Sequence, residues 1–251
     1  MKIFTRQRYQ ENYVRPFLND EETRGILGIS LMILLSGHFV MQYLGHTWFS
    51  ESFLDPTSPG FWLIITNAVF ITSIMLLNKQ AGGWAWSQLG FSPGPRWWHT
   101  IIITSGVLIA VFAVSQIGRP LVTSVGDEPD ISHLMVINDN LPLFILALVL
   151  VWITAAFLQE LVFRAFLINS LDVLLGRTDS SPWFAVFISS VIFGLMHAWQ
   201  GIGGIIITGI IGFIFGTAFL LTGRKILPLI LAHGILDTIS LYLIYSGDGI
   251  F

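Results

Sequence analysis

The chain reads as long apolar runs separated by short polar connections. Seven runs approach the roughly 20 apolar residues that carry a helix across the hydrocarbon core: Ile26–Gly45, Gly60–Asn78, Trp98–Gly118, Leu141–Leu158, Trp183–Trp199, Ile202–Thr222 and Ile226–Tyr245. The fourth is expected to continue as helix through a polar stretch towards Leu175, and the fifth is the shortest, at 17 residues. The pattern predicts an all-α fold: a polytopic transmembrane helix bundle of about seven spans. An eighth, re-entrant or interfacial, element could come only from the longest connection, Gly118 to Asn140. Residues 1–25 form a polar arm, and residues 26–251 form one membrane domain whose first apolar helix is the expected insertion signal.

Composition agrees. Of 251 residues, 54% are hydrophobic and 11% charged, against about 25% charged in a soluble domain. Mean hydropathy is +0.75. So few charges cannot cover a soluble globule, which excludes a soluble enzyme, a nucleic-acid binder and a disordered chain. The lipid bilayer is the expected surrounding, and no nucleic-acid partner is expected. The absence of cysteine excludes a disulfide scaffold, a thiolate metal site and a cysteine nucleophile.

Charge sets the orientation. Eleven of the 12 Lys and Arg residues fall in the N-terminal arm (Lys2, Arg6, Arg8, Arg15, Arg24) and in alternate connections (Lys79, Arg96; Arg164, Arg177; Arg224, Lys225), leaving Arg119 alone on the other side. By the positive-inside rule the N-terminus is cytoplasmic and Phe251 lies outside. The outer loop holds Asp127, Glu128, Asp130 and Asp139, acids that weigh little in that rule. Trp48, Trp62, Trp84, Trp86, Trp97, Trp98, Trp183 and Trp199 sit at or near predicted span ends, as an interfacial belt requires. Thr208, Gly212 and Gly216, spaced by four, predict a close helix contact within the bundle. Gly201, Gly203 and Gly204 predict a tight outer turn; no strand precedes them, so they are no dinucleotide fingerprint.

Ionisable groups inside spans are costly and mark function by default. They gather in the second half: Gln159, Glu160 and Arg164 in the fourth run, His197 in the fifth, His233 and Asp237 in the seventh. Glu160 and Arg164 stand at i and i+4 with the acid first, the favourable order for an ion pair. His233 and Asp237 share that spacing, so Asp237 can fix one imidazole tautomer or join it on an ion. Phe193 and His197 share a face, and the ring can wall the imidazole from lipid. Taken alone, Glu160–Arg164 reads equally well as a structural clamp, and His38, His46, His99 and His133 read as packed or interfacial histidines.

Three boxes in this order, Gln159-Glu160-Leu161-Val162-Phe163-Arg164, Phe193-Gly194-Leu195-Met196-His197 and His233-Gly234-Ile235-Leu236-Asp237, resemble the EExxxR, FxxxH and HxxxN/D boxes of the CPBP family, the CAAX proteases and bacteriocin-processing enzymes also called Abi. Leu227 to Gly234 is similar to that family's last helix. The resemblance implies an intramembrane endopeptidase of a prokaryotic cell membrane, with its core at about residues 141–245. Its substrate would be a membrane-associated, possibly prenylated, peptide or protein. Carried over by position, residue 159 would activate water. His197 and His233 would surround that water or ligate a divalent metal, zinc if any. Asp237 would help bind the oxyanion, Glu160 and Arg164 would brace the site, and Phe193 would line it towards substrate.

The departure is at residue 159, where the pattern has glutamate and this chain has Gln159. A carboxamide is no useful base near neutral pH and a poorer ligand than a carboxylate. The expected consequence is a silent or impaired protease, an immunity-type or regulatory pseudoprotease, or a shift of the base to Glu160. The helix wheel predicts that Gln159 faces the histidines while Glu160 turns aside to Arg164. An ion-coupled transporter would also bury such groups, but would more often show two related halves. Depth raises one difficulty: on a straight helix starting at Trp183, His197 lies about 21 Å in at 1.5 Å per residue, deeper than the other groups.

Overall fold

The computed structural model describes residues 21–48, 54–55, 57–81, 86–87, 89–91, 97–125 and 132–248. Lys2, Arg6, Arg8, Arg15, Trp84, Arg96, Asp127, Glu128, Asp130 and Phe251 lie outside them, as do the side chains of Arg24, His46, Trp48, Lys79, Arg119, His133 and Trp199.

Among the described residues there are seven long helices and no strand: α1 Glu21–Trp48, α2 Pro59–Ala81, α3 Trp97–Val125, α4 Leu141–Leu174, α5 Ser181–Leu195, α6 Gly201–Leu221 and α7 Leu227–Ser246. Four of them, α3, α4, α6 and α7, are long and apolar enough to cross a bilayer; the others carry shorter apolar cores, Leu27–Val40, Phe61–Leu77 and Ser181–Leu195. The protein is an integral, multi-pass membrane protein of all-helical fold. Starts follow local chemistry. Proline stands in the first turn of α4, α5 and α7, where its missing N–H has no intrahelical partner to lose. Asn140 caps α4 by accepting from the Leu143 N–H.

The long connection before α4 contributes a 3-10 turn, Ser132–Ile137. The fifth helix stops at Leu195 rather than Trp199. A turn at Met196 and His197 leads into the 3-10 segment Ala198–Gln200, and Gly201 (φ +80°) opens α6. Gly203 and Gly204 belong to α6 itself, so the expected glycine turn is carried by Gly201 alone.

The fourth helix is the central pillar and is not α-helical throughout. It runs as α from Leu141 to Val151, as π over Trp152–Gln159 and again over Leu161–Ile168, then as α over Asn169–Leu174. π-Helix usually occurs as single-turn bulges, frequently at functional sites; here two runs meet at Glu160. Residues 160–170 are all buried. Leu27, Leu31, Leu34, Ile71 and Met75 of α1 and α2 pack with Val162, Phe163 and Phe166. Val107 and Val111 of α3 and Phe215, Phe219 and Leu229 of α6 and α7 share a second cluster with Ile168.

Helices α5 and α6 meet backbone to backbone. A methyl group at Gly194 would lie 2.5 Å from the Ile205 carbonyl oxygen and 3.1 Å from Gly209 Cα, and one at Gly216 would lie 2.8 Å from Val186. The small-residue spacing in α6 therefore serves packing within the bundle. Trp62, Trp97, Trp98 and Trp183 are exposed, in keeping with anchoring at the headgroup layer.

Arg224, counted from sequence as a loop cation, is buried. Its Nη2 donates to Asp172 Oδ2 (2.8 Å) and its Nη1 to Asn169 Oδ1, while Ser181 Oγ donates to Asp172 Oδ1. This cluster ties the end of α4 to the start of α5 and to the α6–α7 turn.

Candidate functional site

Side chains from α4 and α7 converge in the bundle interior. Glu160 and Arg164 are 0% and 2% exposed. Arg164 Nη1 lies 3.1 Å from Glu160 Oε1, an ion pair whose angle falls short of a hydrogen bond. His233 donates from Nδ1 to the same Oε1 at 2.7 Å. Its Nε2 lies 3.5 Å from Asp237 Oδ2, one turn along α7. One carboxylate oxygen thus meets a guanidinium and an imidazole, and the imidazole stands between two carboxylates.

Aromatic rings complete the arginine's surroundings. The guanidinium carbon sits 4.5 Å from the Phe193 ring centroid and 5.0 Å from that of Phe215. Such cation–π contacts strengthen when desolvated. Phe193 also touches the His197 ring (4.8 Å), and Phe215 meets the His233 ring edge-on (5.6 Å). At 4% exposed, Phe193 is a wall between Arg164 and His197 and presents little surface to a substrate. Phe215 escaped the sequence reading because nothing in an apolar run marks one phenylalanine among its neighbours; its place between the small residues Gly212 and Gly216 was the available signal.

His197 donates from Nδ1 to the Phe193 carbonyl (2.8 Å), which leaves Nε2 as the acceptor. It lies within electrostatic reach of Arg164, His233 and His38. His197 stands on the turn after α5, and Glu160 lies where the two π runs of α4 meet. His38, on α1, is buried and hydrogen-bonded to Asn67 of α2 through Nδ1. His99 stacks on Trp98.

The buried side-chain atoms without a hydrogen-bond partner among the described residues include two acceptors on consecutive residues, Gln159 Oε1 and Glu160 Oε2, and the donor Arg164 Nη1. Unmet acceptors in an apolar interior are costly, and adjacent ones suit a donor such as water. Glu160 pairs with Arg164, as the sequence led one to expect, and its Oε1 also meets His233, a contact the sequence did not indicate.

Residues 141–239 match the family model described as type II CAAX prenyl endopeptidase Rce1-like. No curated protein and no solved structure matches the chain. The match overturns the CPBP/Abi family name drawn from the resemblance: the family found is the distinct Rce1-like one, within the same CAAX-protease clan. Three short boxes shared across a clan cannot separate its families, whereas a match along the whole segment can. The segment from α4 to α7 is therefore similar to the Rce1-like family, over about two fifths of a multi-pass membrane protein.

Proposed function

We propose that the protein is an intramembrane endopeptidase that hydrolyses a peptide bond of a membrane-associated, prenylated or unprenylated, protein or peptide, at a rate held down by Gln159. The observation that carries this reading is the buried Glu160–His233 contact with two unmet acceptors beside it. Water donating to Gln159 Oε1 and Glu160 Oε2 would have its lone pairs free to attack. Glu160 must give its proton-accepting capacity through Oε2, since Oε1 is shared by Arg164 and His233. Glu160 Oε2, having taken the proton of the attacking water, can return it to the leaving amine, His197 Nε2 stands by as a further acceptor, and Arg164 and His233 face the forming oxyanion as donors.

His197 and His233 are also the candidate ligands of a divalent ion. As placed, both nitrogens of His233 face carboxylates, and among the described residues no three His, Asp or Glu side chains are gathered to hold an ion. The reading includes seven crossings with a cytoplasmic N-terminus and a site open to the cytoplasm, supported by the distribution of Lys and Arg. Single cysteines in the thiol-free chain, labelled from either side, test it.

The test of activity is Gln159→Glu in the full chain, assayed on prenylated and unprenylated membrane peptides. A general base is worth about 10² to 10⁴-fold, so cleavage should rise by that order, and His197→Ala or His233→Ala should remove the gain. Equal rates with glutamine and glutamate at position 159 would transfer the base to Glu160. The carboxamide itself favours a second reading, a pseudoprotease that binds without cutting. That reading takes over if Gln159→Glu is inactive while the native chain still retains the peptides.

A further inference from the structure

Eight of the nine tryptophans stand at or near span ends; the ninth, Trp152, lies inside α4 where its α-helical part gives way to π. Its indole lies flat on α7. The ring carbons Cη2, Cζ3 and Cζ2 are 2.6, 2.6 and 2.7 Å from where a Gly234 Cβ would be, so only glycine admits the ring there. Its Nε1–H donates to Thr238 Oγ1 (3.1 Å), and the Thr238 hydroxyl donates to the Gly234 carbonyl (2.6 Å). The indole, the hydroxyl and the carbonyl form a one-way relay in which each donor is used.

Gly234 and Thr238 follow His233 and Asp237 by one residue each, on the α7 stripe about 100° around from the one that carries the imidazole and the acid. A ring wedged on the first stripe and bonded at both ends of one turn fixes the rotation of the second. Threonine back-bonding to the i−4 carbonyl affects the local curvature of a helix, and the turn bonded here, Gly234–Thr238, overlaps the one between His233 and Asp237. We propose that Trp152, acting through Gly234 and Thr238, is a positioning residue that sets the angle at which α7 presents His233 to Glu160. This rests on the reading of Glu160 and His233 as the hydrolytic centre, but the placement itself can be measured without turnover.

The closest alternative is that the indole merely fills space. A space-filler tolerates loss of its N–H, whereas a positioning group does not. The experiment uses full-length protein in lipid nanodiscs, with ¹⁵N-labelled histidine and the His233 signal assigned by its disappearance in His233→Gln. In the native chain the Nδ1 proton bonded to Glu160 should give a strongly downfield resonance. Thr238→Val, which keeps the shape and removes the hydroxyl, and Trp152→Phe, which keeps a ring and removes the N–H, should shift or broaden it. Thr238→Ser should restore it. In the Gln159→Glu background the same two variants should lower kcat with KM nearly unchanged, by up to about 10²-fold for a displacement near 1 Å. An unshifted resonance in Thr238→Val overturns the positioning role, as does the absence of any such resonance in the native chain. Should Trp152→Phe fail to fold, Thr238→Val and Thr238→Ser still decide. A resonance that shifts in a chain without hydrolysis would uphold the positioning role while sinking the peptidase reading.

Discussion

Two buried ion pairs lie along α4, and they are built differently. Asp172 has both carboxylate oxygens taken, one by Ser181 and one by Arg224, and the arginine's second nitrogen goes to Asn169. Glu160 crowds two cations on one oxygen and leaves the other without a hydrogen-bond partner. The first pair joins three chain segments and has the completeness of a clamp. The second is incomplete, against the strong tendency of buried polar groups to be satisfied. In an apolar interior that incompleteness is the mark of a site, because an unmet acceptor is stabilised only by something that arrives.

The sharpest way to break the comparison is to exchange charge for shape at each pair. In an active Gln159→Glu background, Glu160→Gln should cut peptide hydrolysis by up to about 10²-fold, the cost of loosening the contact that holds His233. Its thermal stability should fall as well, because the 2% exposed Arg164 loses its counter-charge, so activity per folded molecule is what separates the two pairs. At the clamp, Arg224→Met should cost about 3–5 kcal/mol, the penalty of stranding Asp172, while activity per folded molecule stays near its starting value. Replacing both, Asp172→Leu with Arg224→Met, should recover most of that loss, because apolar substitutes for a buried pair are often neutral. Unfolding by heat or denaturant, read beside a peptide assay, separates the two behaviours. If Arg224→Met abolishes hydrolysis without lowering stability, the division into clamp and site is wrong. The smallest effect is expected at Phe215→Leu, which removes one cation–π face from Arg164 and an edge contact from His233 and should cost about 0.5–2 kcal/mol.

Much of this arrangement was legible in the sequence, for physical reasons that also mark where legibility stops. A span must be apolar along its whole length, so the helices announce themselves as runs, and the described helices overlap the seven predicted ones closely. A span that is apolar all round has no polar stripe to report its rotation. That is why the π geometry of α4 and the contact of Glu160 with His233 were out of reach, although the pair of Glu160 with Arg164 was legible from its spacing. Charges stand out within spans but not at their ends, so Glu160, His233 and Asp237 drew attention while Arg224 was counted with a connection and Asp172 was passed over. Trp152 and Phe215 are apolar residues in apolar runs, and only coordinates distinguish them from their neighbours.

The π segments of α4 bear on how its length can change. Each i→i+5 ring holds one residue more than an α-helical one, so the stretch from Trp152 to Ile168 carries slack. Removing a residue there can convert a π turn to an α turn and leave both flanks in register. The same deletion in α7, which has no π turn to give up, would rotate everything beyond it by about 100°. Insertions and deletions during divergence should therefore collect on the central helix, beside the chemistry, and spare the outer one.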